Sequence, residues 1–187
     1  MKTFYASDRR EWRRWLRENH RTEAEIWFVF YRKHTGKPSV SYNDAVEEAL
    51  CYGWIDSIVR KVDDDRYAQR FSPRKPKSAF SEMNRQRVDK LVKQKKMTKA
   101  GLEAIAHAYT PTTSGRRFIV PPDILKALKA DPDVWKNYSR FPAPYRQIRI
   151  AYIEGARKRP EEFRKRLRHF LQMTAQNKRF GWVKEMR

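Results

Sequence analysis

A single cysteine, Cys51, stands in a chain of 187 residues. No intrachain disulfide is available and no Cys-x-x-Cys exists, which fits a reducing compartment, so the cytoplasm is the expected location. Histidine is almost as scarce. His20, His34, His107 and His169 have no partner at metal-ligand spacing, and there is no His-Glu-x-x-His. The six glycines form no phosphate-binding or dinucleotide-binding loop, and no Gly-x-Ser-x-Gly elbow occurs. No long apolar run is present, so neither a membrane span nor a secretory leader is expected. These absences point away from catalysis, and no cofactor or metal is expected.

Acidic residues are the other shortage. The 22 Asp and Glu stand against 43 Lys and Arg, for a net charge of +21. Repulsion on that scale calls for screening by salt or by an anionic partner. Nucleic acid, an anionic membrane surface and an acidic small molecule are candidates, beside the plain reading of scattered solvated charge. A hydrophobic fraction of 40 % with 13 % aromatic supplies a core.

Hydrophobic periodicity then organises the chain. Ser7 is placed to cap a first helix, Ser7–Asn19, with Trp12, Trp15 and Leu16 on one face. Glu25–Lys33 is β-branched and aromatic on both alternating faces, the pattern of a strand covered on two sides. Ser41 and Asp44 open a helix like a capping box, and Tyr52-Gly53 closes it. Trp54–Val62 and Arg66–Ser72 read as a hairpin joined by Asp63-Asp64-Asp65, with Tyr67, Gln69 and Phe71 on one face. The aspartates suit either a polar turn or a hard cation. Ser78 is expected to cap a helix to Lys95 that carries Asn84 in its apolar row. Another follows over Thr98–Tyr109. Thr110–Gly115 has linker composition, and four short helices account for the remainder to about Gln176, before a frayed tail.

The expected fold class is α+β: a small antiparallel sheet packed with helices over residues 1–110, a linker over 111–120, and a docked helical module over 121–187.

Within this frame the run Ser41-Tyr42-x-x-Ala45-Val46-x-x-Ala49-Leu50-Cys51-Tyr52-Gly53-Trp54-Ile55-Asp56-Ser57 resembles the signature of the YdeI/OmpD-associated, or bacteriocin-protection, family. Asp65-Arg66-Tyr67-x-Gln69-Arg70-Phe71-x-Pro73-Arg74, Ser81-x-x-Asn84 and Met97-Thr98-x-Ala100-Gly101 fit it too. Pro121-Pro122-Asp123-Ile124-Leu125 and Trp135–Arg149 are similar to its helical second module. The resemblance implies a non-enzymatic protein linked to tolerance of cationic antimicrobial peptides or bacteriocins, associated with an outer-membrane porin. It brings no catalytic residues.

The polar residues interleaved with this signature make the candidate site. Trp54, Asp56, Ser57, Tyr67, Gln69, Arg70, Arg74 and Asn84 are the expected ligand-binding set, with the two arginines holding an anion and the aromatics walling it. The competing reading pairs Asp56 with Arg70 in an internal salt bridge. A second function class is phosphate-backbone binding by nucleic acid, through Arg60, Lys61, Arg66, Arg70, Arg74, Lys75 and Lys77 and on through Arg85–Lys99.

Overall fold

The computed structural model describes residues 1–109 and 118–181. The Thr110–Gly115 stretch of the expected linker and residues 182–187 of the expected tail lie outside them. Among the described residues there are eight α-helices and four strands, in two compact units: Met1–Phe80 with 87–109, and Ser81–Gln86 with 118–181.

The first unit is α+β, as its sequence pattern requires. Strands β1 (Thr3–Tyr5), β2 (Ile26–Tyr31), β3 (Trp54–Lys61) and β4 (Arg66–Pro73) form one sheet in the order β1-β2-β4-β3. The three longer strands pair antiparallel, but β1 runs parallel to β2, so the sheet is mixed and not wholly antiparallel. One sheet face carries Phe4, Ile26, Phe28, Phe30 and Phe71 into a core shared with α1 (Arg9–Asn19), α2 (Tyr42–Cys51), the later part of α3 (Glu82–Lys93) and α4 (Lys99–Ile105). Trp12 and Leu16 of α1 are fully buried there, and the Trp12 indole N–H donates to the Ala45 carbonyl at 3.0 Å.

The opposite sheet face shows how β2 is covered on its second side, where no helix of the core lies. Trp27 is only 4 % exposed yet lies outside the helical core; the Arg60 guanidinium sits 4.7 Å from its ring centre. A long cationic side chain laid over an aromatic shields it while its charge stays wet.

Two caps differ from the sequence reading. Asp8, not Ser7, caps α1, accepting from the Arg10 and Glu11 amides at 2.6 and 3.0 Å, while Ser7 donates to Glu11. Ser81, not Ser78, opens α3, its hydroxyl accepting from the Asn84 amide at 3.2 Å. Ser41 caps α2 as expected, through the Asp44 amide.

The second unit contains α5 (Pro122–Lys129), α6 (Pro132–Arg140), α7 (Ala143–Glu154) and α8 (Pro160–Ala175), with prolines in the first turn of each, where a missing N–H costs nothing. Ile124, Leu128, Tyr138, Tyr145, Ile150 and Phe170 are among its core residues. No helix among the described residues is long and apolar enough to cross a membrane.

Candidate functional site

The signature run builds a scaffold before it builds a site. Helix α2 ends at Cys51, and Gly53 follows with φ +78°, a left-handed conformation that suits glycine. Its amide donates to the Leu50 carbonyl at 3.1 Å. The Cys51 carbonyl accepts both the Thr98 amide, at 3.1 Å, and the Thr98 hydroxyl, at 2.6 Å. Thr98 in turn caps α4 through the Gly101 amide. Gly101 lies so close to α2 that a Cβ there would overlap the Cys51 carbonyl and stand 2.9 Å from the Leu50 oxygen. The Met97–Gly101 motif is therefore the clasp that joins α4 to the end of α2. Cys51 itself is fully buried, and burial pushes its thiol up to about 11, so it is unreactive at neutral pH.

A β-bulge next separates the polar residues of the hairpin. Asp56 pairs with Phe71 and Val59 with Gln69, so Ser57 and Ile58 together stand against Arg70. The Gln69 amide, 2 % exposed, donates to the Ser57 carbonyl at 3.1 Å and satisfies this irregular turn of the strand from inside. Because side chains alternate along a strand, Tyr67, Gln69 and Phe71 face the helices and Arg66, Arg70 and Ser72 face away.

The expected site set is consequently divided. Arg70 lies on the helix-free face, where its Nε donates to Glu25 at 2.7 Å and a terminal nitrogen stands 3.4 Å from the Ser57 hydroxyl. The Asp56–Arg70 pair is not formed; the sheet register puts the two on opposite faces. Trp54 is a core residue, 1 % exposed, edge-on to Trp15 at 5.6 Å, with its indole N–H donating to the His20 carbonyl. Tyr67 is half-buried and stacks on Phe30 at 5.0 Å. Asn84 is buried in the second unit, where its amide takes part in the cap of α3.

On the helix-facing side a different group assembles. Asp56 accepts from the Tyr42 hydroxyl at 2.7 Å. Arg74 is 8 % exposed; one terminal nitrogen donates to the Ser78 hydroxyl and the Ala79 carbonyl, both at 2.9 Å, and its plane lies over Phe80 at 5.0 Å. Its Nε is buried without a hydrogen-bond partner. Arg87, equally buried, donates to the Asn43 side-chain oxygen at 2.7 Å. Burial lowers both arginine pKa values, and the negative charge of Asp56, which acts on both, does not offset it; Glu47 also acts on Arg87. Burial and the bond to Asp56 hold the Tyr42 hydroxyl well above the usual phenol range. Two buried cations thus share the field of Asp56, a carboxylate that is already hydrogen-bonded to Tyr42.

Tyr42, Asn43 and Arg87 were not in the expected set. A signal for Arg87 was present: positions 84, 87, 88 and 91 share a helix face, so one arginine of the basic run falls among Asn84, Val88 and Leu91.

Much of the remaining basic charge is locally compensated. Arg9 meets Asp44, Glu47 and Glu48, Arg13 meets Glu48, and Lys90 meets Glu47 at 3.1 Å. In the aspartate turn Asp63 accepts from Arg66, Asp64 pairs with Lys61 and Asp65 with His34. Each carboxylate of that turn has its own side-chain partner, and among the described residues no group of three or more His, Cys, Asp or Glu could hold a metal ion.

Comparison with known proteins divides the chain along similar lines. Residues 4–104, which include the Gly53–Ser57 motif, match a family model described as a domain of unknown function (DUF8412). Residues 117–177 match the model described as "Bacteriocin-protection, YdeI or OmpD-Associated", which supports the resemblance read from the sequence. No curated protein and no solved structure matches the chain. With more than half its length matched by the first model and its helical module by the second, the chain belongs to the DUF8412 family and carries a YdeI/OmpD-associated segment.

Proposed function

We propose that this chain is a non-enzymatic binding protein of the bacteriocin-protection type, and that its first unit binds an anionic group at Arg74 and Arg87. The observation that carries this reading is the buried guanidinium of Arg74, whose Nε has no hydrogen-bond partner. Arg74 and Arg87 are each 8 % exposed, and the nearby Asp56 already accepts from Tyr42. The Arg74 guanidinium, bonded to the neutral Ser78 hydroxyl and Ala79 carbonyl with its Nε unsatisfied, retains a large desolvation cost, which an oxyanion relieves through charge-assisted hydrogen bonds. Arg87 stands in the field of the same Asp56 and adds its charge. Phosphate or a carboxylate meets that requirement.

The charge balance also constrains how protection would work. A chain of +21 repels a cationic peptide, so direct capture by charge is disfavoured. The proposed partner is instead the anionic group such a peptide would seek. Association with the OmpD named in the matched family's description follows the same logic if acidic groups of that partner are what is engaged. Nucleic-acid binding is the weaker reading, because Lys61, Arg66, Arg70 and Lys90 are in ion pairs and Arg74 and Arg87 are buried.

The test is thermal unfolding with inorganic phosphate, against chloride at matched ionic strength. At a hundredfold excess over Kd, ligand linkage gives about 2.7 kcal/mol, or roughly 5–11 °C for a chain of this size. The rise is expected in the wild type and in Arg70→Gln, and its loss in Arg74→Gln and Arg87→Gln. An equal rise in all four proteins would mean general screening of positive charge and would overturn the site.

A further inference from the structure

The second unit contains a cavity of about 410 Å³ between α7 and α8. Its volume lies in the range of about 300–1,000 Å³ typical of small-molecule sites. Ile153, Phe170 and Phe180 give it apolar walls. Arg149 also lines it, and its position is unusual. The residue is 8 % exposed; one terminal nitrogen donates to the Phe180 carbonyl, and its plane packs 4.1 Å from the Phe180 ring centre. Its Nε is buried without a hydrogen-bond partner, and no carboxylate pairs with it among the described residues. Burial is the largest influence on it and lowers its pKa.

The other charged groups around the cavity do not neutralise Arg149. Glu162 is held by Arg166 at 2.7 Å, and Arg166 is turned to the Tyr152 carbonyl at 2.8 Å and lies over the Tyr152 ring. Lys165 lines the same space and has no ion-pair partner among the described residues. His169 packs edge-on to Phe180 at 4.5 Å. The cavity therefore joins an apolar interior to an excess of positive charge, in which the most buried cation lacks an acid.

We propose that this cavity is a binding site for an amphiphilic monoanion, a carboxylate on a short aliphatic or aromatic body, with the headgroup on Arg149 and Lys165 and the body against Ile153, Phe170 and Phe180. Unlike the anion site of the first unit, this one selects for an apolar body as well as charge. A bare oxyanion fills only the polar end, and a neutral alcohol leaves Arg149 uncompensated.

Calorimetric titration of the full chain with decanoate, decanol and inorganic phosphate tests this. Decanoate is expected to bind saturably at one site, with decanol and phosphate each at least roughly tenfold weaker, the scale set by one charge-assisted hydrogen bond. Arg149→Met keeps the stem and is expected to lose the preference for decanoate over decanol. Lys165→Ala, at an exposed position, is expected to weaken decanoate binding without altering the fold, which keeps the test valid if Arg149→Met unfolds. Arg74→Gln is expected to leave decanoate binding intact, which separates this site from that of the first unit. Decanoate bound no more tightly than decanol, or affinity unchanged by Lys165→Ala and by a folded Arg149→Met, would overturn the proposal.

Discussion

Replacing Gly101 with alanine tests whether the Met97–Gly101 motif is a scaffold. Gly101 sits inside α4, where alanine is the better helix former by about 1 kcal/mol, so local propensity alone predicts stabilisation. The structure predicts the reverse. The new Cβ would overlap the Cys51 carbonyl and stand 2.6 Å from its carbon, and these are backbone atoms that cannot rotate aside. Relief requires α4 to move off α2, which weakens both hydrogen bonds from Thr98 to the Cys51 carbonyl. Overpacking of this kind costs about 1–3 kcal/mol, and each strained hydrogen bond adds about 1 kcal/mol. A net loss of about 3 kcal/mol corresponds to a fall in Tm of roughly 6–12 °C. Gly36→Ala is the control: it has φ +64° but nothing within 4 Å, so its cost is conformational, about 1–2 kcal/mol. Urea unfolding followed by tryptophan fluorescence, sampling Trp12, Trp15 and Trp54, measures both. If Gly101→Ala were as stable as wild type, the clasp would be refuted.

Three further outcomes follow from the same geometry. Arg70→Ala breaks a partly exposed ion pair with Glu25 and is expected to cost under about 1 kcal/mol by urea unfolding; a loss near 3 kcal/mol would show that Arg70 braces the hairpin. Arg9→Met strips a cation from the buried Glu47 and Glu48 and is expected to cost about 2 kcal/mol in the same assay, because Lys90 still reaches Glu47 and Arg13 still reaches Glu48. Cys51 adds a pH dependence. Its folded pKa is raised, so the native state holds the proton longer; the associated stability is complete below the unfolded value near 9 and is lost as pH rises to about 11. The wild type is therefore expected to lose about 2–3 kcal/mol more than Cys51→Ala across that window, and parallel pH profiles would contradict it.

The parts of the fold legible in the sequence were those written by local chemistry. Ser41 and Asp44 mark the start of α2, Gly53 its left-handed end, and the period-two pattern from Tyr67 to Phe71 the inward face of β4. Strand β1 was not legible. Thr3–Tyr5 is three residues long and directly precedes the capped α1, so no periodicity can build up; it is a strand only because the edge of β2 is there to pair with. The site was half legible for a related reason. Pairing Asp56 with Arg70 requires the register between strands, and the bulge at Ser57–Ile58 that sets the local geometry leaves no composition signal. Arg74, in Pro73-Arg74-Lys75-Pro76, has the composition of an exposed turn, yet its side chain folds back over Phe80 and is buried.

The central claim, an anion site at Arg74 and Arg87, is tested most directly by arginine-selective ¹H–¹⁵N NMR during a phosphate titration. The Nε–H of Arg74 is buried without a partner, so it exchanges slowly and acquires a new acceptor when the anion binds. Its signal is expected to shift saturably, with the Arg87 side-chain signals moving at the same Kd, while that of Arg70 stays in place. Saturable shifts confined to exposed arginines, with the Arg74 and Arg87 signals unmoved, would contradict the account.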